Sequence, residues 1–317
     1  MKIVKLKRRL ARIRRDIKLY QYHLKRVSFK HVENKRIIIC FNGVVPHGGF
    51  VDRLKGIISF YDIASQLGYD FFIQFNHPFK LSTFLEPQTV NHYIETNQVT
   101  FHVNDSVILN LVNDFNFKPE TFFKNTSKKD FLVYSNVDYL PSMYPYLSLI
   151  ELENKWRQHF NKLFKKSHLL ETKLKDLVLG PYISIHTRFT GIMGDFTDST
   201  NLLIPEESQE NLLLVLKDRV NSILQKTDLP CFVFSDSRKF LNFISKETEV
   251  NILEGTPFHM DSFEVNNVID VHLKTLIDFF MISGSEAVYF IKTPIMYKSA
   301  FSKYAAILGN KPFETLE

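Results

Sequence analysis

Ile183-Ser-Ile-His-Thr-Arg-Phe-Thr-Gly191 is the stretch on which the fold turns. It closes an apolar run over 177–185 that carries Leu177, Val178, Leu179, Tyr182, Ile183 and Ile185 around a single Gly-Pro step. A short apolar run bounded by turn residues suits a strand buried on both faces of a parallel sheet. At its outward end His186 and Arg188 stand two apart, so a strand's period of two puts both side chains on one face. Open α/β sheets bind ligands just beyond the carboxyl ends of their strands. A guanidinium there offers a permanently charged planar fork that matches phosphate oxygens two at a time. A lone His-x-Arg is equally a core histidine beside a surface ion pair, and only accompanying anion-binding pieces change that reading.

Downstream, strands and helices alternate. A helix over 206–224 has Leu212, Leu213, Val215, Leu216, Val220 and Ile223 on its apolar side, and a strand over 231–234 ends in Ser235-Asp-Ser237. A helix over 239–245, a strand over 250–253, a helix over 271–282, a strand over 287–291 and a helix over 299–308 stopped by Gly309 complete the series. Alternation of this kind describes a Rossmann-like parallel sheet. Upstream, a strand over 35–41 leads into Asn42-Gly-Val-Val-Pro-His-Gly-Gly-Phe50, a loop with three glycines and a proline. The helix that follows opens at Asp52 and stops at Gly68, and the chain returns as a strand over 70–75. This βαβ unit has a helix start suited to an anion. Residues 76–150 read as a loop-rich α/β region with aromatic runs at 100–103 and 131–135, and 149–174 reads as one bridging helix.

The 317 residues suffice for two ordinary domains, and 44% apolar content supports sizeable cores. Cys40 and Cys231 both lie in apolar strand-like runs and read as buried thiols. Neither H-E-x-x-H nor paired C-x-x-C nor D-x-D occurs, so no metal is expected. Residues 1–30 hold twelve Lys or Arg against Asp16 alone, a local charge of +11 that leaves the other 287 residues at −5 within the chain's +6. Ile3, Leu6, Leu10, Ile13, Ile17, Tyr20, Leu24 and Val27 form one apolar stripe at steps of three and four, with basic residues on the other faces. This segment is no signal peptide and no span. It reads either as an interfacial helix on an anionic membrane surface, or as a helix docked on the protein or in a coiled coil. Its removal is expected to spare the donor chemistry, because every candidate site residue follows position 41. The acidic body and the lack of a recognition motif argue against nucleic acid.

Three stretches then belong together: His47-Gly-Gly-Phe-Val-Asp-Arg-Leu-Lys-Gly56, the Ile-His-Thr-Arg run, and Phe234-Ser-Asp-Ser-Arg238. With Lys298-Ser-Ala-Phe-Ser-Lys-Tyr-Ala-Ala306 they resemble, in order and spacing, the motifs of fucosyltransferases that use GDP-fucose. The likeness is to the group of nodulation-factor and core α1,6-fucosyltransferases, protein O-fucosyltransferases and bacterial α1,2 relatives. It implies an α/β GT-B fold, two facing Rossmann-like domains with a cleft between them, here preceded by the basic amphipathic helix. The domains would be 1–34 for the helix, 35–170 on the acceptor side and 171–317 for the donor. The resemblance implies that His47, Gly48, Gly49 and Arg53 line the donor phosphates, while Lys55 and Asp52 can instead pair on the helix face. Arg188 would be the principal β-phosphate ligand and His186 a contact on the nucleoside side. Asp236 would read guanine or ribose, or else serve as an Asx-turn or helix cap. Ser299 and Phe301 would form a second phosphate-side turn, with Ser299 alone passing as an N-cap. Asp195, or less so Asp198, would be the general base, or else a loop or capping residue.

The activity so implied is an inverting, metal-independent transfer of fucose from GDP-fucose to a glycan hydroxyl, with no cofactor; a cytoplasmic location is expected, at the inner face of the membrane if residues 1–30 form the interfacial helix. A GT-B enzyme using another nucleotide sugar, or a non-catalytic sugar-nucleotide-binding or membrane-adaptor protein, are the alternatives. A retained leaving-group arginine beside a glycine loop speaks against the non-catalytic one.

Overall fold

A computed structural model describes residues 2–177, 180–196, 202–255, 258, 260–261 and 269–317, with side chains from residue 10 onward. The chain divides into two compact units, Met1–Lys165 and Lys166–Glu317.

In the first unit the main elements are α1 (Lys2–His23), β1 (Arg36–Phe41), α2 (Phe50–Leu67), β2 (Asp70–Phe75), β3 (Ser106–Leu111), β4 (Asp130–Ser135) and α3 (Leu149–Leu163). The sheet runs β2-β1-β4-β3, all parallel. β1 lies inside it, and Ile37, Ile38, Ile39, Cys40 and Phe41 are all fully buried, which is why this strand reads as an unbroken apolar run. β3 escapes a reading by periodicity because it is the edge strand and carries Ser106 and Asn110. The single helix expected over 149–174 is two. α3 ends at Leu163, Phe164–Lys166 is extended, and Ser167 caps a second helix, His168–Lys175, by accepting from the Leu170 N–H at 3.3 Å.

α1 docks on this unit, although its apolar stripe is not the face that docks. Leu19 enters the core beside Ile38, Cys40, Leu132 and Tyr134. His23 Nε2 shares a 2.7 Å hydrogen bond with the Tyr134 hydroxyl, Asn110 Nδ2 donates to Asp16 at 2.6 Å, and Arg12 pairs with Asp114 at 3.1 Å. Burial lowers the pKa of His23 to about 4, so its ring is neutral at physiological pH. The segment is therefore part of the fold. Cutting it away would open the core at Leu19, so its removal does not leave the rest of the unit unchanged.

α2 is clamped to α3 through Asp62, which is 1% exposed. Its carboxylate accepts from His159 Nε2 at 2.7 Å, Lys155 Nζ at 2.8 Å, the Tyr144 hydroxyl at 2.7 Å and Gln66 Nε2 at 2.6 Å. Burial alone would raise the pKa of this acid, but the hydrogen bonds from His159, Lys155 and Tyr144 outweigh it and hold the pKa at about 2.

The second unit contains β5 (Ile183–Thr187), α4 (Glu206–Leu224), β6 (Cys231–Ser235), α5 (Arg238–Glu247), β7 (Asn251–Ile252), α6 (Ile269–Gly284), β8 (Val288–Ile291), α7 (Phe301–Gly309) and β9 (Phe313–Leu316). Its sheet runs β7-β6-β5-β8-β9, again all parallel, with β5 at the centre. The strand read over 177–185 begins only at Ile183. Leu177 lies in the turn after the preceding helix, and Val178 and Leu179 lie outside the described residues. Gly309 is the last residue of α7 and not its stop; Asn310, at φ +53°, makes the left-handed cap. A Cβ on Gly309 would stand 1.8 Å from the Ser283 carbonyl oxygen of α6, so glycine is what lets these helices pack.

Asp62→Ala should remove about 3 kcal/mol or more of stability at neutral pH, since it strands buried donors. Because the folded pKa lies below the unfolded value near 3.9, the stabilisation is present above about pH 4 and is lost as pH falls through about 2. Urea denaturation of both proteins at pH 7, 4 and 2.5 checks this; a gap between them that does not narrow toward pH 2.5 contradicts it.

Candidate active site

The carboxyl end of β5 carries a loop that is fixed from several sides. Phe189 is fully buried and packs on Phe240 of α5, with ring centroids 5.2 Å apart. Thr190 takes φ +57°, a left-handed backbone that costs a β-branched residue of the order of 1–3 kcal/mol. Asp236, just past the neighbouring strand β6, holds this conformation. Its Oδ1 accepts from the Phe189 N–H at 2.8 Å, and its Oδ2 accepts from the Thr190 N–H at 2.7 Å and from Arg188 Nε at 3.2 Å. Burial raises the pKa of Asp236, and the Arg188 guanidinium and the two amides oppose that rise.

Arg188 is thereby oriented through Nε, with a fifth of its side-chain surface exposed and its guanidinium 4.6 Å from the centre of the Phe196 ring. His186 turns to the other neighbour. It is buried, lies 5.5 Å from Phe290 of β8 in a stacked arrangement, and its Nδ1 shares a 3.0 Å hydrogen bond with Ser302 of α7. Burial first, and the Arg188 charge second, lower its pKa to about 3, so it is a neutral donor-acceptor ring at physiological pH. β5 ends at Thr187, so Arg188 stands one residue past the strand, near enough to His186 for its charge to help lower the pKa of that ring. Phe301 reaches the same cluster, 5.6 Å from the His186 ring. Ser299 accepts from the Phe301 N–H at 3.2 Å, one residue ahead of the helix cap at Ala300.

Two aspartates stand in places other than those implied for them. Asp195 Oδ2 accepts from the Ser237 hydroxyl at 2.9 Å and the Lys239 N–H at 2.8 Å. It therefore satisfies the start of α5, where orphan amides and the helix dipole favour an anion. This is the contact its capping alternative calls for; it uses Oδ2, while Oδ1 is buried with no hydrogen-bond partner. Asp198 lies outside the described residues. Asp236 likewise spends its acceptors on the β5 loop, so it positions Arg188 instead of presenting an open carboxylate edge to a base or ribose.

In the first unit the glycine loop lies between β1 and α2. Gly48 has φ +82°, a left-handed backbone that calls for glycine. Gly49 caps α2 without a side-chain hydrogen bond. Asp52 pairs with Lys55 at 3.0 Å, the helix-face alternative. His47 is buried, stacked on Tyr134 and edge-on to Phe41. Burial, reinforced by Arg53, pushes its pKa well below the ordinary histidine value. Arg53 is 1% exposed: Nε donates to the Gly48 carbonyl at 3.3 Å, Nη1 donates to the His77 carbonyl at 2.5 Å, and the guanidinium lies over the Phe41 and Phe75 rings. Placed beneath the loop, it fastens backbone carbonyls where a phosphate contact was anticipated. Among the described residues no group of three or more His, Cys, Asp or Glu is arranged to hold a metal ion.

Sequence reasoning missed Phe189, Thr190 and Ser302. The first two adjoin Arg188, but nothing in their residue types announces an inserted ring or a left-handed threonine. Ser302 meets His186 only through the fold.

No protein-family model matches the chain, and no curated protein matches it. Solved structures do. One is NodZ α1,6-fucosyltransferase co-crystallised with GDP, at TM-score 0.54 and 15% identity, covering 87% of this chain and 93% of that one. Another is a mutant of Arabidopsis thaliana FUT1 in complex with GDP, at TM-score 0.58 and 13% identity, covering 96% of this chain and 74% of that one. The chain shares the fold of these fucosyltransferases.

If Asp236 is the fastener of the β5 loop, Asp236→Ala should cost about 3 kcal/mol or more, because it strands two amides and a guanidinium. Arg188→Ala should cost about half as much, because the carboxylate keeps both amides. Urea denaturation midpoints measure the two, and equal costs or the reverse order would count against this division of labour.

Proposed function

We propose that the chain is an inverting, metal-independent glycosyltransferase that moves fucose from GDP-fucose to a glycan hydroxyl. One observation carries the reading: Arg188, held by Asp236, stands beyond the carboxyl end of the central strand of a parallel sheet in a fold shared with GDP-bound fucosyltransferase structures. In the proposed reaction the acceptor oxygen bonds to the anomeric carbon of fucose as the bond from that carbon to the β-phosphate oxygen breaks. GDP leaves with the electron pair, and the hydroxyl proton passes to solvent or to a base. Negative charge grows on the β-phosphate, and a fixed guanidinium that needs no reorganisation lowers the barrier most at that moment. Asp236 supplies the fixity. His186, neutral and held by Ser302, gives the nucleoside side a hydrogen-bonding ring whose charge stays constant across the physiological pH range.

The glycine loop ahead of α2 is the proposed first-unit contribution to the donor phosphates. Arg53 serves that role indirectly, by holding the carbonyls of the loop inward. No base is assigned: Asp195 Oδ2 serves the start of α5.

The test is hydrolysis of a panel of nucleotide sugars by the purified chain with EDTA present. Cleavage confined to GDP-fucose is expected. Cleavage of a different donor moves the reading to another nucleotide sugar, and loss of cleavage with EDTA overturns metal independence. Arg188→Lys should lower turnover by about a hundredfold, because a point charge does not reproduce the bidentate fork. Near-normal turnover in that variant would remove Arg188 from the leaving-group role.

A further inference from the structure

α1 is sewn down along one line and bare along another. Arg12, Asp16, Leu19 and His23 face the first-unit sheet. A quarter turn or so away, Leu10, Ile13, Ile17, Tyr20 and Leu24 follow one another at steps of three and four, and each is between 44% and 54% exposed. An apolar helical stripe ordinarily faces a core; here the core contact is made off the stripe, by Leu19 flanked by polar residues, so the stripe lies largely outward, with Tyr20 edge-on to Phe101. The chain leaving the helix adds Phe29, 78% exposed.

The flank of the stripe opposite the docked side is basic. Arg14, Lys18 and Lys25 are exposed there, within a segment of charge +11. A second copy of the chain would bring two such segments within the ~8 Å Debye length of physiological salt, where like charges repel. A nucleic acid would engage the basic flank and leave the apolar row in water. An anionic lipid surface satisfies both at once: apolar side chains enter the headgroup–acyl boundary while the basic ones meet phosphates. No helix among the described residues is long and apolar enough to cross a membrane, so contact of this kind is lateral.

We propose that the outward face of α1 is an interfacial membrane-binding surface selective for anionic lipid. Because four contacts fix α1 to the sheet, the surface is presented in one orientation relative to the first unit.

The experiment is flotation of the full-length chain with vesicles of phosphatidylcholine alone and of phosphatidylcholine with about a quarter phosphatidylglycerol, at low and high salt. Binding is expected on the anionic vesicles, weaker as salt rises, and nearly absent on the neutral ones. Arg14→Gln with Lys18→Gln should lower the partition coefficient by about thirtyfold, at about fivefold for each charge near the surface. Ile13→Glu with Ile17→Glu should abolish it while moving the melting temperature by no more than a few degrees, since both side chains are about half exposed and neither belongs to the core. Failure to float, equal flotation on neutral vesicles, or binding that survives the glutamate pair overturns the proposal. So does light scattering that shows a dimer which the glutamate pair dissolves, because a second copy would then cover the stripe. Flotation needs no turnover, so its result stands apart from that of the donor screen.

Discussion

The hydrogen bonds converging on the Asp236 carboxylate are what the second unit's site depends on. Two amides and a guanidinium are drawn to one buried acid, and the backbone between them is forced through a left-handed threonine. Phe189 locks the same loop from below by filling the core. The end of β5 is thus determined from two sides, and Arg188 inherits that rigidity through Nε. An arginine free to swing would have to be ordered when it meets a ligand; the Nε contact with Asp236 orders this one when the chain folds.

The first unit solves the corresponding problem with the opposite charge. Where the second unit buries a carboxylate that collects N–H groups, the first buries the Arg53 guanidinium, which collects carbonyls. With the Gly48 and His77 oxygens drawn inward, the loop ahead of α2 is tied down by its acceptors. In both units the buried charge sits one layer behind the surface it shapes. Asp195 repeats the device at smaller scale by closing the start of α5, which follows Asp236 by two residues.

Much of this was legible in the residues because strands buried on both faces leave unbroken apolar runs and helix faces leave a period of 3.6. β1, β5, α4 and β6 announce themselves that way. The edge strands β3 and β9 do not: β3 carries Ser106 and Asn110, buried but hydrogen-bonded to Asp130 and Asp16, and β9 carries the exposed Glu314. The break at Ser167 was hidden because helical periodicity continues across a cap. The site was legible as a set of positions and not as a set of contacts. Arg188, His186 and the glycine loop could be found by type and spacing, whereas the partners of Asp236, Arg53 and Asp195 depend on which strands become neighbours. The stripe on α1 was plain in the sequence, but its direction was not: Leu19 and His23, off the stripe, decide which side faces the core.

The docking of α1 also sets an order of events. Its partners are distant in the chain: Asn110 follows Asp16 by 94 residues and Tyr134 follows His23 by 111. At a synthesis rate of about 5–20 residues per second, roughly 5 to 20 s separate the emergence of α1 from that of the strand that completes its seat. During that interval the helix carries its basic charge and its apolar row but has no sheet to lie on. A lipid surface that accepts the row would meet α1 before the rest of its own fold does, and the first unit would then assemble onto a helix already lying in place.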